Sequence, residues 1–266
     1  MQATLQILGS GTSTGIPVPG CQCKVCTSNN PKNKRLRTSA VITTNPNDSG
    51  ERNYIVIDTT PDFRYQMLRA KIPYVSAILY THYHADHTLG LEDLRGFNFV
   101  KGGPIPCYAT AETFSELSRL FSYIFNPDPH YEGGQVTSVT PHCIKSLDLF
   151  TVGKIPVQPF PLFHGKLPVT GFRLGDLAYA TDCSIVPEES KFLLRGVRTL
   201  VLDGLRYNSH PNHFTIPEAI KVAQSMGVER TILIHMTHSV DHDEVTASLP
   251  LGVELAFDGL EIPFTI

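Results

Sequence analysis

Thr81-His82-Tyr83-His84-Ala85-Asp86-His87 follows directly on the apolar run Ser76 to Tyr80. Three imidazoles and a carboxylate within six residues make a dense set of borderline ligands for Zn, Mn or Fe. A surface loop that happens to be rich in His is the bland alternative. The apolar run before the cluster reads as a buried strand, so the ligands fall where a strand leaves the core.

Working outward, short apolar runs rich in Val and Ile recur at Thr4 to Leu8, Ala40 to Thr43, Tyr54 to Ile57, Val75 to Tyr80, Leu177 to Ala180, Thr199 to Leu202 and Thr231 to Ile234. Each reads as a buried strand. Phe114, Leu117, Phe121 and Ile124 have helical spacing, and so does the segment Ile216 to Met226. The latter is framed by Thr215 as N-cap, Glu218 completing a capping box, and Gly227 after the last turn. Grouped strands with helices between them in both halves predict two sheets packed face to face with helices outside. No internal repeat stands out. Asn126 to Gly134 reads as a surface loop or lid.

The 266 residues are 41% hydrophobic and 18% charged, which suits a sizeable core and excludes a disordered chain. One domain over 1–266 is expected. With 22 basic and 25 acidic side chains and a net charge of −3, no broad cationic surface is available for long nucleic acid, whereas a small anion needs only a local positive site. The N-terminal residues carry no basic n-region and no apolar run spans a bilayer, so a cytoplasmic protein without membrane association is expected. Cys21, Cys23 and Cys26 form C-x-C-x-x-C, a cluster explained better by a thiolate metal site than by disulfides.

The H-x-H-x-D-H pattern at His82, His84, Asp86 and His87 resembles the metal loop of the metallo-β-lactamase superfamily, and the resemblance runs through nearly the whole chain. It implies an α/β fold, a four-layer αβ/βα sandwich with the metals at one edge. The remaining ligands implied are His164 after Pro-Leu-Phe, Asp182 in Tyr-Ala-Thr-Asp and His235 in Leu-Ile-His. One divalent metal, Zn or Mn, would lie on His82, His84 and His164, and a second on Asp86, His87 and His235, with Asp182 bridging. Two cations roughly 3.5 to 4 Å apart can share a hydroxide nucleophile and hold phosphoryl oxygens during in-line displacement. Asp86 and Asp182 are therefore counted with the catalytic residues.

Within the superfamily, the thiolate cluster following Gly9-Ser10-Gly11-Thr12-Ser13 is similar to that of the group containing the phosphoribosyl cyclic phosphate phosphodiesterases and the coenzyme PQQ synthesis protein B. This implies that His238 completes a Cys3His structural zinc site in an N-terminal zinc-binding loop at about 9–37. His213, just before the capped helix, would lie near a helix N-terminus, where it could donate a proton to a leaving alkoxide. The resemblance implies the same role, with His210 as the lesser candidate. Asp58 is expected to support the metal loop by hydrogen bonding. Arg206 and Tyr207 are weaker candidates for facing substrate, as is the basic run Lys34, Arg35 and Arg37 for contacting a phosphate.

Together these expectations describe a dinuclear metal-dependent phosphodiesterase acting on a small cyclic or nucleotide-like diester. The alternatives are a tRNA 3′-processing nuclease, for which the chain lacks a basic, Gly-rich arm, and a carboxyl-ester, thioester or lactam hydrolase, which needs no acid at His213. A non-catalytic scaffold is disfavoured because every ligand position is filled. A homodimer is the assembly carried forward as an expectation.

Overall fold

The computed structural model describes residues 1–46, 50–127 and 133–266. The loop or lid expected over Asn126 to Gly134 lies largely outside them. Among the described residues the chain runs through β1 (Gln2–Gly9), β2 (Ser39–Thr44), β3 (Tyr54–Ile57), β4 (Ala77–Leu79), β5 (Ile105–Ala109) and β6 (Val139–Cys143). The second half supplies β7 (Phe150–Val152), β8 (Ile155–His164), β9 (Leu167–Leu174), β10 (Leu177–Ala180), β11 (Thr199–Asp203), β12 (Arg230–Ile234) and β13 (Val253–Leu255). The last strand, β14 (Glu261–Thr265), returns to pair with β1.

Two seven-stranded sheets result, ordered β14-β1-β2-β3-β4-β5-β6 and β7-β8-β9-β10-β11-β12-β13. The same pattern repeats in both. Three antiparallel pairings, ending at β3 or β10, are followed by three parallel ones. This duplication of topology has no counterpart that the sequence alone displays.

Alternation along the strands decides the layers, because successive side chains leave a strand on opposite faces. Ala40 and Ile42, Ile55 and Ile57, and Ala77 and Leu79 enter the large core shared with the second sheet. Their neighbours Val41, Val56 and Ile78 join Phe63, Met67, Leu91, Leu94 and Leu117 in an outer core under helices. On the other side, the helix Ile216–Met226 packs on β11 and β12. The order is helices, sheet, sheet, helices, the four-layer sandwich expected.

Local signals hold where they were strongest. The Thr215 hydroxyl accepts the Glu218 N–H, the Glu218 carboxylate accepts the Thr215 N–H, and Gly227 caps the far end at φ 69°. The segment expected as one helix through Phe114 and Ile124 is instead two, Ala111–Leu120 and Ser122–Phe125, with Phe121 between them at φ −118° and ψ 47°. The strands that the apolar-run reading passed over include β5, β6, β8, β9 and β14, each containing proline, which cannot donate to a ladder. In β8, Pro159 and Pro161 lie beyond Val157, where the pairing with β7 stops.

The parallel blocks point their C-terminal ends toward one edge. Asp58 follows β3, Thr81 and His82 follow β4, Asp182 follows β10, Asp203 ends β11 and His235 follows β12. Chemistry-bearing side chains from both sheets are thereby delivered to one rim.

Candidate metal centre

Among the described residues, four non-glycine residues have φ in the left-handed region: Asp58, Lys71, Asp182 and His235. Three of them stand on this rim. Such backbone persists only where its surroundings over-determine it, and it concentrates at functional sites.

His82 and His84 rings lie 4.6 Å apart, and His164, at the end of β8, is 5.1 Å from His84 and 5.9 Å from His82. Beside this trio, Asp86, His87, Asp182 and His235 bring ligand atoms within 4.8 Å of one another. Asp182 lies between the groups. Its Oδ2 is 3.2 Å from His87 Nε2 and 3.9 Å from His82 Nε2, and its Oδ1 is 3.1 Å from His235 Nδ1. All seven residues expected as ligands converge.

Their unsatisfied atoms test whether cations fit. His82 Nε2 and His87 Nε2 are buried and make no hydrogen bond, although carboxylate oxygens of Asp182 and Asp86 approach His87 Nε2 to 3.2 and 3.4 Å. Buried polar atoms are ordinarily paired. Nitrogens and oxygens converging without hydrogen-bond geometry, from a donor set of imidazoles and carboxylates, are what divalent cations would satisfy.

The outward-facing atoms are anchored. Fully buried Asp58 accepts the Thr81 N–H and hydroxyl, both at 2.8 Å, and its Oδ2 is 2.7 Å from His87 Nδ1. That is the supporting role expected of Asp58, and it leaves His87 Nε2 aimed at the cluster. His164 Nδ1 is 2.8 Å from the Asn212 carbonyl. His235 Nδ1, which also faces Asp182, has Thr38 Oγ1 at 3.1 Å, and its Nε2 has Thr12 Oγ1 at 3.2 Å, so a metal on either nitrogen would take the place of one hydroxyl while the other holds the ring.

Burial and charge pull these groups in different directions. Burial lowers the proton affinity of His82, His84 and His164 and brings that of His235 down to about 4. For His87, burial acts the same way but is outweighed by Asp182, Asp86 and Asp58, which raise its pKa well above the usual value. Asp182 goes the opposite way, held well below the carboxylate range by His235 and His87 against its burial.

His213 is also present. Its Nδ1 is 2.6 Å from Asp203 Oδ2, its ring is 4.4 Å from that of His164, and it shares a cluster with His164 and Asp182. Burial lowers its affinity for a proton, but Asp203 more than offsets this and raises it. Asp203 also accepts the Cys183 N–H and, being fully buried, is itself raised to about 6. His210 sits 5.0 Å from the His213 ring and accepts the Asn212 N–H. A cavity of about 600 Å³ opens over His84, His164 and Lys166. A second, of about 580 Å³, is lined by His210 and His213 and shares Ser184, Ile185 and Pro211 with the first.

The thiolate cluster assembles as expected. Cys21, Cys23 and Cys26 place Sγ 3.3, 3.5 and 3.6 Å from His238 Nδ1. Thiolate and imidazole ligands at the corners of a tetrahedral zinc sit about 3.5 Å apart, so the four donors fit one. The Cys26 N–H lowers Cys23 to about 6, and burial raises Cys26 to about 11.

Other expectations resolve differently. Arg35 is buried, with its guanidinium on the carbonyls of Thr237 and Val240. Arg37 pairs with Asp62, and Lys34 donates to the Cys26 carbonyl. The contacts of the basic run are internal ones, with Arg35 buried and Lys34 exposed. Arg206 donates to the carbonyls of Asn208 and Ser209 and shapes the loop before His213, while Tyr207 is exposed. Sequence reading gave no role to Asp203, whose only signal is its place closing an apolar run, nor to Thr12, Thr38 and Asn212, which carry none.

The description "Beta-lactamase superfamily domain" matches residues 53–236. A solved structure described as a new diphosphatase from the PhnP family is 39% identical, with 99% of this chain and 98% of that one covered and a TM-score of 0.89. Zn-bound PqqB from Methylobacterium extorquens shares the fold at a TM-score of 0.76, with 19% identity over 97% of this chain and 99% of that one. An octanoyltransferase of Porphyromonas gingivalis is 38% identical over 96% of this chain, which spans only 50% of that relative. The family match and the near-complete, 39%-identical structure agree with the two-sheet fold and its rim of His and Asp: the chain belongs to the metallo-β-lactamase superfamily, and within it to the PhnP family.

Proposed function

We propose that this protein hydrolyses a small phosphodiester, cyclic or nucleotide-like, at a dinuclear centre held by His82, His84, Asp86, His87, His164, Asp182 and His235. When bound, two divalent metals supply a nucleophile at neutral pH and charge neutralisation at phosphoryl oxygens. The chain's own part is to orient these ligands, through Asp58, Asn212, Thr12 and Thr38, and to manage the proton of the leaving group.

The observation that carries the reading is His213. Geometry alone would admit it as one more ligand, but unlike His82, His87 and His235 it lines a cavity, and its carboxylate partner favours the protonated form. A cationic imidazole facing substrate space can give its proton to an alkoxide, which a phosphodiester releases and an activated ester does not require. Lys166, exposed in the cavity over His84 and His164, offers a local positive charge in a chain of net charge −3.

A second reading, a diphosphate as substrate, is favoured by the PhnP-family diphosphatase at 39% identity. Because a phosphate leaves without help more readily than an alkoxide, it would depend less on His213. The test is turnover of a ribose cyclic phosphate, bis-p-nitrophenyl phosphate, a dinucleoside diphosphate and an octanoyl thioester by metal-loaded protein, beside an Asp182→Ala control. The reading expects metal-dependent turnover of the cyclic ester, lost in the control, and a His213→Ala loss of about 10²-fold or more on it with little change on the activated aryl diester. Equal losses on both would remove the acid role. Thioester turnover without diester turnover would overturn the phosphodiesterase reading.

A further inference from the structure

The loop Gly9-Ser10-Gly11-Thr12-Ser13-Thr14-Gly15-Ile16 enters the chemistry above only through Thr12, which meets His235, and it lies between the thiolate cluster and the catalytic rim. His235 and His238 belong to one short segment leaving β12. His235 occupies the left-handed region at φ 64°, a conformation that a non-glycine residue keeps only under external restraint. The restraint is visible. The Met236 N–H donates to the Ser10 carbonyl at 3.1 Å, and the Thr12 N–H donates to the Met236 carbonyl at 3.0 Å. Thr12 and Thr38 place a hydroxyl at each ring nitrogen of His235, so that one still holds the ring when a metal takes the other nitrogen, and the Thr38 hydroxyl donates to the Gly11 carbonyl at 2.9 Å.

The restraining segments border the knuckle Cys21–Cys26, where the Val18 N–H donates to Cys26 Sγ at 3.3 Å. Ile16 and Arg35 exchange two backbone hydrogen bonds of 2.8 Å. The buried Arg35 guanidinium reaches the carbonyls of Thr237 and Val240, on either side of His238, and Lys34 reaches the Cys26 carbonyl. The knuckle has little apolar support of its own: Ile16, Val25 and Cys26 are its buried core. Three such side chains offset only a small part of the conformational entropy of a loop of this length, and a bound zinc would offset more of it.

We infer that the Cys3His knuckle is a positioning device for the catalytic ligand His235, so that loss of its zinc weakens the hold on an active-site metal while the two-sheet core stays folded. The inference rests on reading Cys21, Cys23, Cys26 and His238 as a zinc site. The route runs from the thiolates through His238 to Thr237 and Met236, and from Ile16 through Gly11 and Thr12 to the imidazole. His238 and Thr12 act through His235 and are positioning residues for the reaction.

The experiment uses the full chain with zinc in the knuckle and Mn²⁺ in the catalytic centre, in a Cys143→Ser background that removes the exposed cysteine. Knuckle zinc is released stepwise with a mercurial and counted with a chromophoric chelator, while bound Mn²⁺ is followed by electron paramagnetic resonance and folding by circular dichroism. The expected result is Mn²⁺ affinity weakened by about 10- to 100-fold in step with zinc release, at unchanged secondary structure. Retention of Mn²⁺ at full affinity after complete zinc release overturns the coupling. Absence of zinc from the untreated protein overturns the zinc reading itself, independently of the catalytic assignment. A His238→Cys variant, which can still close a four-ligand zinc site, keeps both zinc and Mn²⁺ affinity if the coupling holds. Cys23→Ser loses both, and where that variant fails to fold, the stepwise titration on the parent chain decides.

Discussion

Asp203 Oδ2 stands 2.6 Å from His213 Nδ1, and Asp58 Oδ2 stands 2.7 Å from His87 Nδ1, so two buried carboxylates at parallel-strand ends, one in each sheet, each fix one imidazole at the rim. The pairs differ in what lies beyond the ring. Past His87 are Asp86 and Asp182; past His213 is a cavity. On the proposed reading, the same device would serve metal ligation in one sheet and proton delivery in the other.

The Asp203 pair makes the alkaline limb of activity adjustable. Imidazolium is the acid form, and Asp203 raises the pKa of His213 against its burial, so the acid is present below that raised value and lost as pH climbs through it. Asp203→Asn removes the carboxylate and leaves burial, which lowers the pKa. The alkaline limb of kcat/KM for a cyclic ester should move to lower pH, with a loss of about 10²-fold at pH 8. A pH–rate profile for both proteins checks it, and an unmoved limb would assign that limb to another group.

Loading the catalytic centre should release protons. His87 is raised well above its usual pKa, burial notwithstanding, by Asp182, Asp86 and Asp58, which favours a proton on it in the metal-free protein. A metal must displace that proton to reach the nitrogen. Calorimetric titration of metal into chelator-treated protein, in two buffers of different ionisation enthalpy, should show release of about one proton per chain from this group. Zero release would mean that His87 is already neutral in the metal-free state.

Asp58→Ala should weaken both fold and metal binding. The substitution leaves the Thr81 N–H and hydroxyl and His87 Nδ1 without their shared acceptor in a fully buried position. Removing one member of a buried, hydrogen-bonded charge pair costs about 3 to 5 kcal/mol. Urea unfolding of chelator-treated protein measures that loss. Metal affinity should fall by about 10- to 100-fold, read by competition with a chelator.

How much of this was legible in the sequence follows from what each residue does. Ligands that bind through their own side chains, such as His82, His84 and His87, advertise themselves by type and spacing. His164, Asp182 and His235 were placed only through the superfamily resemblance, since a lone His or Asp ending an apolar run has many ordinary uses. Residues that act on other residues left no trace: Thr38 looks like any buried hydroxyl until it is found 3.1 Å from His235 Nδ1. Arg35 inverts the expectation for its basic run because its partners are main-chain carbonyls about 200 positions away in sequence, which no local pattern can report. The strands β8 and β9 escaped notice because prolines break the apolar runs, although β8 ends in His164 and carries it to the rim.

Two glycines near the metal loop should respond to alanine with opposite signs. A Cβ on Gly90 would lie 2.0 Å from the Thr60 carbonyl oxygen and 2.6 Å from Phe63 Cβ, where β3 and the helix Phe63–Ala70 meet the turn after His87. Its φ of −87° is open to any residue, so the conflict is one of space alone. Gly90→Ala should cost about 1 to 3 kcal/mol as an overpacked site, and the displaced turn should lower metal affinity through His87. Gly96, inside the helix Arg95–Lys101, has nothing within 4 Å of its Cβ position. Gly96→Ala should therefore stabilise the protein by about 0.5 to 1 kcal/mol through helix propensity and leave metal binding unchanged. Thermal melts of both variants, with and without metal, measure the contrast. A Gly90→Ala protein as stable as its parent would mean that the Thr60 carbonyl can yield, and that the packing behind the metal loop is looser than these distances require.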